Sequence, residues 1–332
     1  MKTQVFIFSI IFSFFNVCFA NRSPASDVRA EIDAAIKADS NCNSMGDFYW
    51  EIGSPTGAIA SGSIGNTYSA GKELELASAS KWLFGAYVFE KQKGQVSVDE
   101  KQYLNMMSGY VNMQNFLCMI AKVHTVSDCF HAQPLLPGLF KKKPGNDTQS
   151  PEDVGKYFYN GGHAQALAVQ PQVGLGNMTN EALGREMQSM LKLSQPIHYT
   201  FPQLAGGGSA APAAYIEFLK NLMTDKYYLS SVIQHDGGVC ANTKYCNPPT
   251  VVKSPGPGDT NWWYGNHYWI EKDPQGKVEA YSSAGLYGFY PWMTADKKYY
   301  GIIARKGPII NAAAQSVSCG RAIREKFLSV YH

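Results

Sequence analysis

Ser78 and Lys81 stand three residues apart at the head of an apolar run, Trp82-Leu83-Phe84-Gly85-Ala86-Tyr87-Val88-Phe89, which ends in Glu90-Lys91-Gln92-Lys93-Gly94. Small hydroxylated residues before such a run and a glycine after it predict a buried helix that begins near Ser78 and stops at Gly94. Residues three apart on a helix share a face, which brings the Ser78 hydroxyl to the Lys81 amine. A hydroxyl beside an amine is the minimum apparatus of a serine nucleophile activated by lysine. The setting supports this chemistry. A helix N-terminus favours developing negative charge, and apolar neighbours lower the pKa of a buried lysine until it can accept a proton. The simpler alternative is an N-cap serine followed by a snorkelling surface lysine.

The Ser-x-x-Lys spacing is not distinctive by itself, because Ser69-Ala70-Gly71-Lys72 and Ser189-Met190-Leu191-Lys192 match it equally well. Context separates the three. Ser69 lies in a glycine-containing connector, and Ser189 and Lys192 read as solvated positions well inside a polar helix. Only Ser78 opens an apolar one. His124, His131, His198 and His235 are scattered, and no Gly-x-Ser-x-Gly elbow, phosphate-binding glycine loop or metal-ligand cluster occurs.

Elements at both ends of the chain must position this helix. Val28, Ile32 and Ile36 recur at helical spacing over 28–37. Phe48–Gly53 and Thr56–Gly62 flank Ser54-Pro55 and predict a hairpin. Helical patches at Glu181–Leu193 and Ala213–Leu222, among Gly/Pro-rich loops, predict a mainly helical middle with no sheet of its own. Strand patterns return at His267–Glu271, at Lys277–Ser282 after the turn Asp273-Pro274-Gln275-Gly276, at Gly288–Met293 and at Tyr299–Arg305. A helix over Ile309–Tyr331 follows. The expectation is an α+β fold: an antiparallel sheet built from both chain ends, flanked by helices, with an inserted helical region. A single catalytic domain over 21–332 divides into sheet parts at about 25–94 and 250–332 and a helical part at about 95–249.

The first twenty residues have a short basic start, an apolar stretch from Val5 to Phe15 and a small residue at Ala20. That is a secretory signal peptide, too short to span a bilayer, and it predicts a secreted or periplasmic protein with no membrane span. Six cysteines remain beyond it. An even number in an exported chain suggests disulfides, although the pairing stays open. The short spacings make Cys118–Cys129 and Cys240–Cys246 the natural local bridges, leaving Cys42 and Cys319 to join the ends. Asn-x-Ser/Thr sequons stand at Asn21, Asn146 and Asn177. The net charge is only +3, and the one basic run, Lys141-Lys142-Lys143, reads as a solvated loop. Nothing in that balance suggests nucleic acid, and no obligate partner is evident.

Ala77-Ser78-Ala79-Ser80-Lys81-Trp82, at the head of an apolar helix soon after a leader and a hairpin, resembles the serine β-lactamase and penicillin-binding-protein superfamily. More narrowly, it resembles the class C β-lactamase-related branch of esterases and D-aminopeptidases. The resemblance implies a β-lactamase/transpeptidase-like fold with nucleophile and lysine at Ser78 and Lys81. It also implies a tyrosine that shuttles the serine proton, and Tyr157-Phe158-Tyr159-Asn160-Gly161-Gly162-His163 offers Tyr159. Gly161 stands where the family has asparagine, which leaves Asn160 or His163 for that polar role. The family's Lys/His-Thr/Ser-Gly strand corresponds to Ser283-Ala284-Gly285, where small residues would let substrate lie along the strand edge. The Leu286 N–H would join that of Ser78 as an oxyanion hole. Tyr264-Gly265-Asn266-His267-Tyr268-Trp269 and the connector Gln203-Leu204-Ala205-Gly206-Gly207-Gly208 also match family segments.

Ser283 offers one neutral hydrogen bond where the family places a cation for a carboxylate. An ester or neutral amide is therefore expected rather than a β-lactam, unless Arg305 reaches in. The expected activity is a serine hydrolase that works through an acyl-enzyme on a small-molecule or peptide-like acyl substrate, with no metal or cofactor. The alternatives are a D-Ala-D-Ala carboxypeptidase or β-lactamase, and, from another class, a non-catalytic binding protein that keeps the fold.

Overall fold

The computed structural model describes residues 24–120, 122–134, 144–242, 244–246, 250–255 and 260–331. The signal peptide, the Asn21 sequon and the Lys141-Lys142-Lys143 run lie outside the described residues.

In chain order the strands are β1 (Phe48–Ser54), β2 (Gly57–Ile64), β3 (Leu74–Glu75), β4 (Tyr157–Phe158), β5 (Ile197–Tyr199), β6 (Gly208–Ala210) and β7 (Val239–Cys240). They continue with β8 (Val251–Lys253), β9 (Asn261–Gly265), β10 (Tyr268–Lys272), β11 (Val278–Ser282), β12 (Tyr290–Thr294) and β13 (Tyr300–Ala304). The main sheet runs β2-β1-β13-β12-β11-β10-β9-β7, all antiparallel. Next to the β2 edge it joins β1 from the start of the chain to β13 from the end, as the strand patterns at both termini imply. The α+β architecture is as expected from sequence.

Alternation along the strands explains why the sheet is covered on both faces. Tyr49, Ile302, Tyr281 and Met293 face the core that holds the Ser80–Lys91 helix. Trp50, Ile303, Tyr290 and Trp292 face the opposite core. There the first helix (Pro24–Ala38) buries Val28, Ile32 and Ile36 beside Val317, Ile323 and Phe327 of the last helix (Ala312–Val330). The Cys42–Cys319 disulfide ties the two ends together on that side. Cys118–Cys129 and Cys240–Cys246 also pair.

Three sequence expectations need correction, and one sequon proves enclosed. The helical middle supplies β5 and β6 to a small sheet with β3, β4 to a parallel pair with β8, and β7 to the edge of the main sheet. These strands of two or three residues are too short to leave a periodic signal. The strand expected from His267 starts at Tyr268 instead, because Asn266 and His267 take positive φ (47° and 69°) as the β9–β10 turn. The helix that holds Ser189 ends at Met190, and Lys192 lies beyond it with φ 51°. The Asn146 side chain is buried, with its carbonyl accepting from the Gln114 N–H and its amide donating to the Cys129 carbonyl, so this sequon is closed to a glycan in the folded chain.

The Ser80–Lys91 helix is buried from Ser80 through Phe89. It crosses the β9–β10 turn at Gly85, where an added Cβ would collide with the Asn266 carbonyl oxygen. Gly85→Ala is expected to cost about 1–3 kcal/mol, since the colliding atom is backbone and has little room to yield. Urea denaturation measures this directly.

Candidate active site

Ser78 sits in a 3₁₀ turn, Ala77–Ala79, which feeds into the Ser80–Lys91 helix; the α-helix proper thus starts two residues later than the sequence pattern suggests. Ala77 has φ 44°, a left-handed conformation that costs a residue with a Cβ about 1–2 kcal/mol. The neighbours hold it there. The Leu76 N–H donates to the Gly208 carbonyl (2.9 Å), and the Tyr215 hydroxyl donates to the Ala79 carbonyl (2.8 Å). The Ser283 hydroxyl donates to the Ser78 carbonyl (3.1 Å), and the Gly208 N–H donates to Ser80 Oγ (3.2 Å). The turn presents the Ser78 side chain, half-buried, to a cleft of about 850 Å³.

Lys81 lies one helical turn on, 4 % exposed. Its amine donates to Ser78 Oγ (2.9 Å) and to the Ala205 carbonyl (2.8 Å), and stands 4.8 Å from the centre of the Tyr159 ring. Burial pushes its pKa down to about 7, because no carboxylate offsets the loss of hydration. The snorkelling-lysine alternative does not hold for a side chain enclosed to this degree.

Tyr159 follows β4, and its N–H donates to the Lys253 carbonyl of β8 (2.9 Å). Its ring stacks on Trp269 (5.4 Å between centroids) and meets Tyr264 edge-on (5.7 Å). The phenol is hydrogen-bonded with the Ser78 side chain. Burial raises its pKa to about 12 despite that bond, so it holds its proton at neutral pH. A hydroxyl, an amine able to lose its proton near neutral pH and a protonated phenol thus converge in one cleft. The group can transfer a proton from Ser78 and return one to a leaving atom.

The other expected site residues divide. Leu286 is exposed on the opposite lip of the cleft, and among the described residues no backbone carbonyl accepts its N–H. Asn160 lines the cleft with its carboxamide already engaged: the oxygen accepts from the Gly162 N–H (2.8 Å) and the nitrogen donates to the Met113 carbonyl (3.4 Å). His163 is fully buried and does not line the cleft. Its Nε2 donates to the Phe158 carbonyl (2.9 Å) and its Nδ1 accepts from the Ser108 hydroxyl (2.8 Å), so it braces the Tyr159 loop from behind. Burial, helped by the nearby Lys81 charge and opposed by the Phe158 bond, lowers its pKa to about 4, which keeps it neutral.

Ser283 is likewise buried, its hydroxyl spent on the Ser78 carbonyl. It supports the nucleophile turn and offers substrate nothing. Gly285 is required by close approach of two backbones, since an added Cβ would collide with the Leu76 carbonyl oxygen. Arg305 does not reach in. Its guanidinium is buried beneath the last helix, bonded to Ser316 Oγ, the Met45 carbonyl and Gln315 Oε1.

Sequence reading passed over Asn115 and Lys253, set His124 aside as a scattered histidine, and took Gln203 only as the start of a connector; all four line the cleft. Gln203 Nε2 donates to Asn115 Oδ1 (2.6 Å), and an added Cβ on Gly161 would lie 3.0 Å from that same nitrogen. This amide pair occupies the space beside Gly161, where the resemblance leads one to expect an asparagine. No local pattern marks either residue, because loops remote in sequence supply them. Among the described residues no group of His, Cys, Asp or Glu is arranged to hold a metal, and no helix is long and apolar enough to cross a membrane.

No family model matches the sequence, and no curated protein matches it. Solved structures do. A putative β-lactamase from Bacteroides dorei aligns with TM-score 0.55 at 16% identity, over 90% of this chain and 98% of that one. EstCE1, a hydrolase with promiscuous acyltransferase activity, aligns with TM-score 0.60 at 10% identity, over 91% and 99%. Simvastatin synthase (LovD) from Aspergillus terreus aligns with TM-score 0.60 at 11% identity, over 93% and 99%. Identities this low establish a shared fold, the β-lactamase/transpeptidase-like one, over nearly the whole of each partner chain.

Proposed function

We propose that this protein is an exported serine hydrolase that cleaves an ester or amide through an acyl-enzyme. One observation carries the reading: a buried lysine amine, its pKa brought down to about 7, lies 2.9 Å from the hydroxyl of a serine that faces an open cleft. Ser78 attacks the substrate carbonyl while its proton passes to Lys81, with Tyr159 at hand to deliver a proton to the departing atom. The N–H groups of Ser78 and Leu286 receive the oxyanion. Water then releases the acyl group as the same proton path runs in reverse. The signal-like first twenty residues and three disulfides support export.

The substrate follows from what the segment after β11 lacks. Ser283 faces the Ser78 carbonyl and Arg305 is buried elsewhere, so neither holds a β-lactam carboxylate, and an ester or neutral amide fits better. A fluorescent penicillin that labels the protein would favour the carboxypeptidase or β-lactamase alternative. The direct test is a fluorophosphonate probe. Labelling is expected, with a rate that climbs with pH and levels off above a midpoint near 7, because the Lys81 amine accepts a proton only once it is neutral. An unlabelled protein points instead to a binding protein that keeps the fold.

A further inference from the structure

Gln203 is 2 % exposed, yet only one end of its carboxamide is committed. Nε2 donates to Asn115 Oδ1 (2.6 Å), and among the described residues no protein group donates to Oε1. Two cleft-lining glycines show where the ends point. An added Cβ on Gly161 would lie 3.0 Å from Nε2, and one on Gly206 would lie 3.0 Å from Oε1. The same position on Gly206 is 3.9 Å from the Ala77 carbonyl oxygen, so Oε1 stands on the cleft wall beside the turn that presents Ser78. The carboxamide is not free to turn away. Asn115 opens the 3₁₀ turn Asn115–Met119, which the Cys118–Cys129 disulfide anchors and the Gln114 N–H reinforces by donating to Asn146 Oδ1 (2.7 Å). The Gly207 N–H donates to the Gln203 carbonyl (2.9 Å) and fixes the backbone. A nearly buried acceptor held from behind calls for a donor, and the cleft is the side from which one can come.

We propose that Gln203 sets specificity: its Oε1 accepts a hydrogen bond from a hydroxyl or amide N–H that the substrate carries near its scissile carbonyl. The inference rests on the catalytic reading above for taking the ligand to be an ester or amide substrate, and it narrows that class to substrates with an uncharged donor. A neutral donor fits better than an ammonium. Among the described residues lining the cleft, Glu75 is the one carboxylate, and it pairs with Lys306. Lys81, when protonated, would also repel a substrate cation. A substrate with a methyl group in place of the donor leaves Oε1 enclosed without a partner, and that loss is what discriminates.

The test uses two ester pairs in which a hydroxyl replaces a methyl group of similar size. Phenyl 3-hydroxybutanoate and phenyl 3-methylbutanoate differ on the acyl side; 2-hydroxyethyl butanoate and propyl butanoate differ on the alcohol side. In one of the pairs the wild-type protein is expected to favour the hydroxylated ester by about five- to tenfold in kcat/KM, and that pair identifies the side on which the donor is recognised. Gln203→Met keeps the length of the side chain without the acceptor and should bring the ratio close to one; turnover of the methyl-bearing partner shows that the variant is folded. Gly206→Ala sets a methyl group 3.0 Å from Oε1 and should shrink the ratio with Gln203 still in place. Because both hydrogen-bonding groups are neutral, about 0.5 M salt should leave the ratio unchanged. Ratios near one in both wild-type pairs, or a ratio that Gln203→Met retains, overturn the proposal. Calorimetric binding of the corresponding amides, which are cleaved slowly, separates this failure from failure of the catalytic reading. If a hydroxylated amide binds the Ser78→Ala protein more tightly than its methyl-bearing partner, and Gln203→Met removes the difference, the acceptor site stands even without turnover. If neither hydroxylated amide binds more tightly, or if Gln203→Met leaves the difference intact, the site is refuted whether or not esters are cleaved.

Discussion

Ser78→Ala is expected to abolish fluorophosphonate labelling and to lower kcat/KM for a simple ester by about 10⁴–10⁶-fold, leaving only what the cleft contributes by binding and polarisation. The size of the effect follows from the division of labour. The cleft can hold an ester and point N–H groups at its carbonyl without Ser78, but among the described residues Ser78 Oγ is the hydroxyl hydrogen-bonded to the Lys81 amine. The fold should survive the change. The lost hydroxyl is half-exposed, Lys81 keeps its bond to the Ala205 carbonyl, and the turn is held through the carbonyls of Ser78 and Ala79 rather than through the Ser78 side chain. Circular dichroism should therefore match wild type while turnover vanishes. A Ser78→Ala protein that retains a tenth of the wild-type rate would falsify the assignment of the nucleophile.

The largest effect on stability is expected away from the cleft, at the ion pair of Arg324 and Glu271 (2.8 Å), whose side chains are 3 % and 0 % exposed. The Tyr290 hydroxyl also donates to Glu271 (2.6 Å), and the guanidinium lies over the Trp292 ring at 5.3 Å. Burial alone would raise the Glu271 pKa; the Arg324 charge and the hydroxyls of Ser282 and Tyr290 more than offset this and hold it below the usual carboxylate range. Arg324→Met strands that carboxylate in the core between the sheet and the last helix, and the expected loss is about 3–5 kcal/mol. Adding Glu271→Gln removes the stranded charge, so the double variant should recover part of the loss. A urea midpoint unchanged in the single variant would show that water reaches Glu271. The pair is buried, so added salt should alter this loss very little.

Some of this molecule is legible without coordinates because the forces involved are local. Val28, Ile32 and Ile36 mark a helix face through their spacing, and all three are buried against the last helix. Phe48–Gly53 and Thr56–Gly62 alternate around Ser54-Pro55 and form β1 and β2. The bridges Cys118–Cys129 and Cys240–Cys246 follow from short loops, which close at small entropic cost. Where the reading failed, the deciding contact came from far along the chain. His163 and Ser283 each present a polar group suited to a site, yet Ser108 and the Ser78 carbonyl claim them.

What the sequence determined by itself is the meeting of Ser78 with Lys81. Just under one turn of helical backbone places residues three apart together. What the tertiary structure alone decided is whether that meeting is chemically useful. The Lys81 amine loses its water because segments far along the chain close over it: Ala205 at one bond, Tyr159 at the other side, Trp269 behind the tyrosine. Desolvation depends on enclosure in three dimensions, which no spacing of residues encodes.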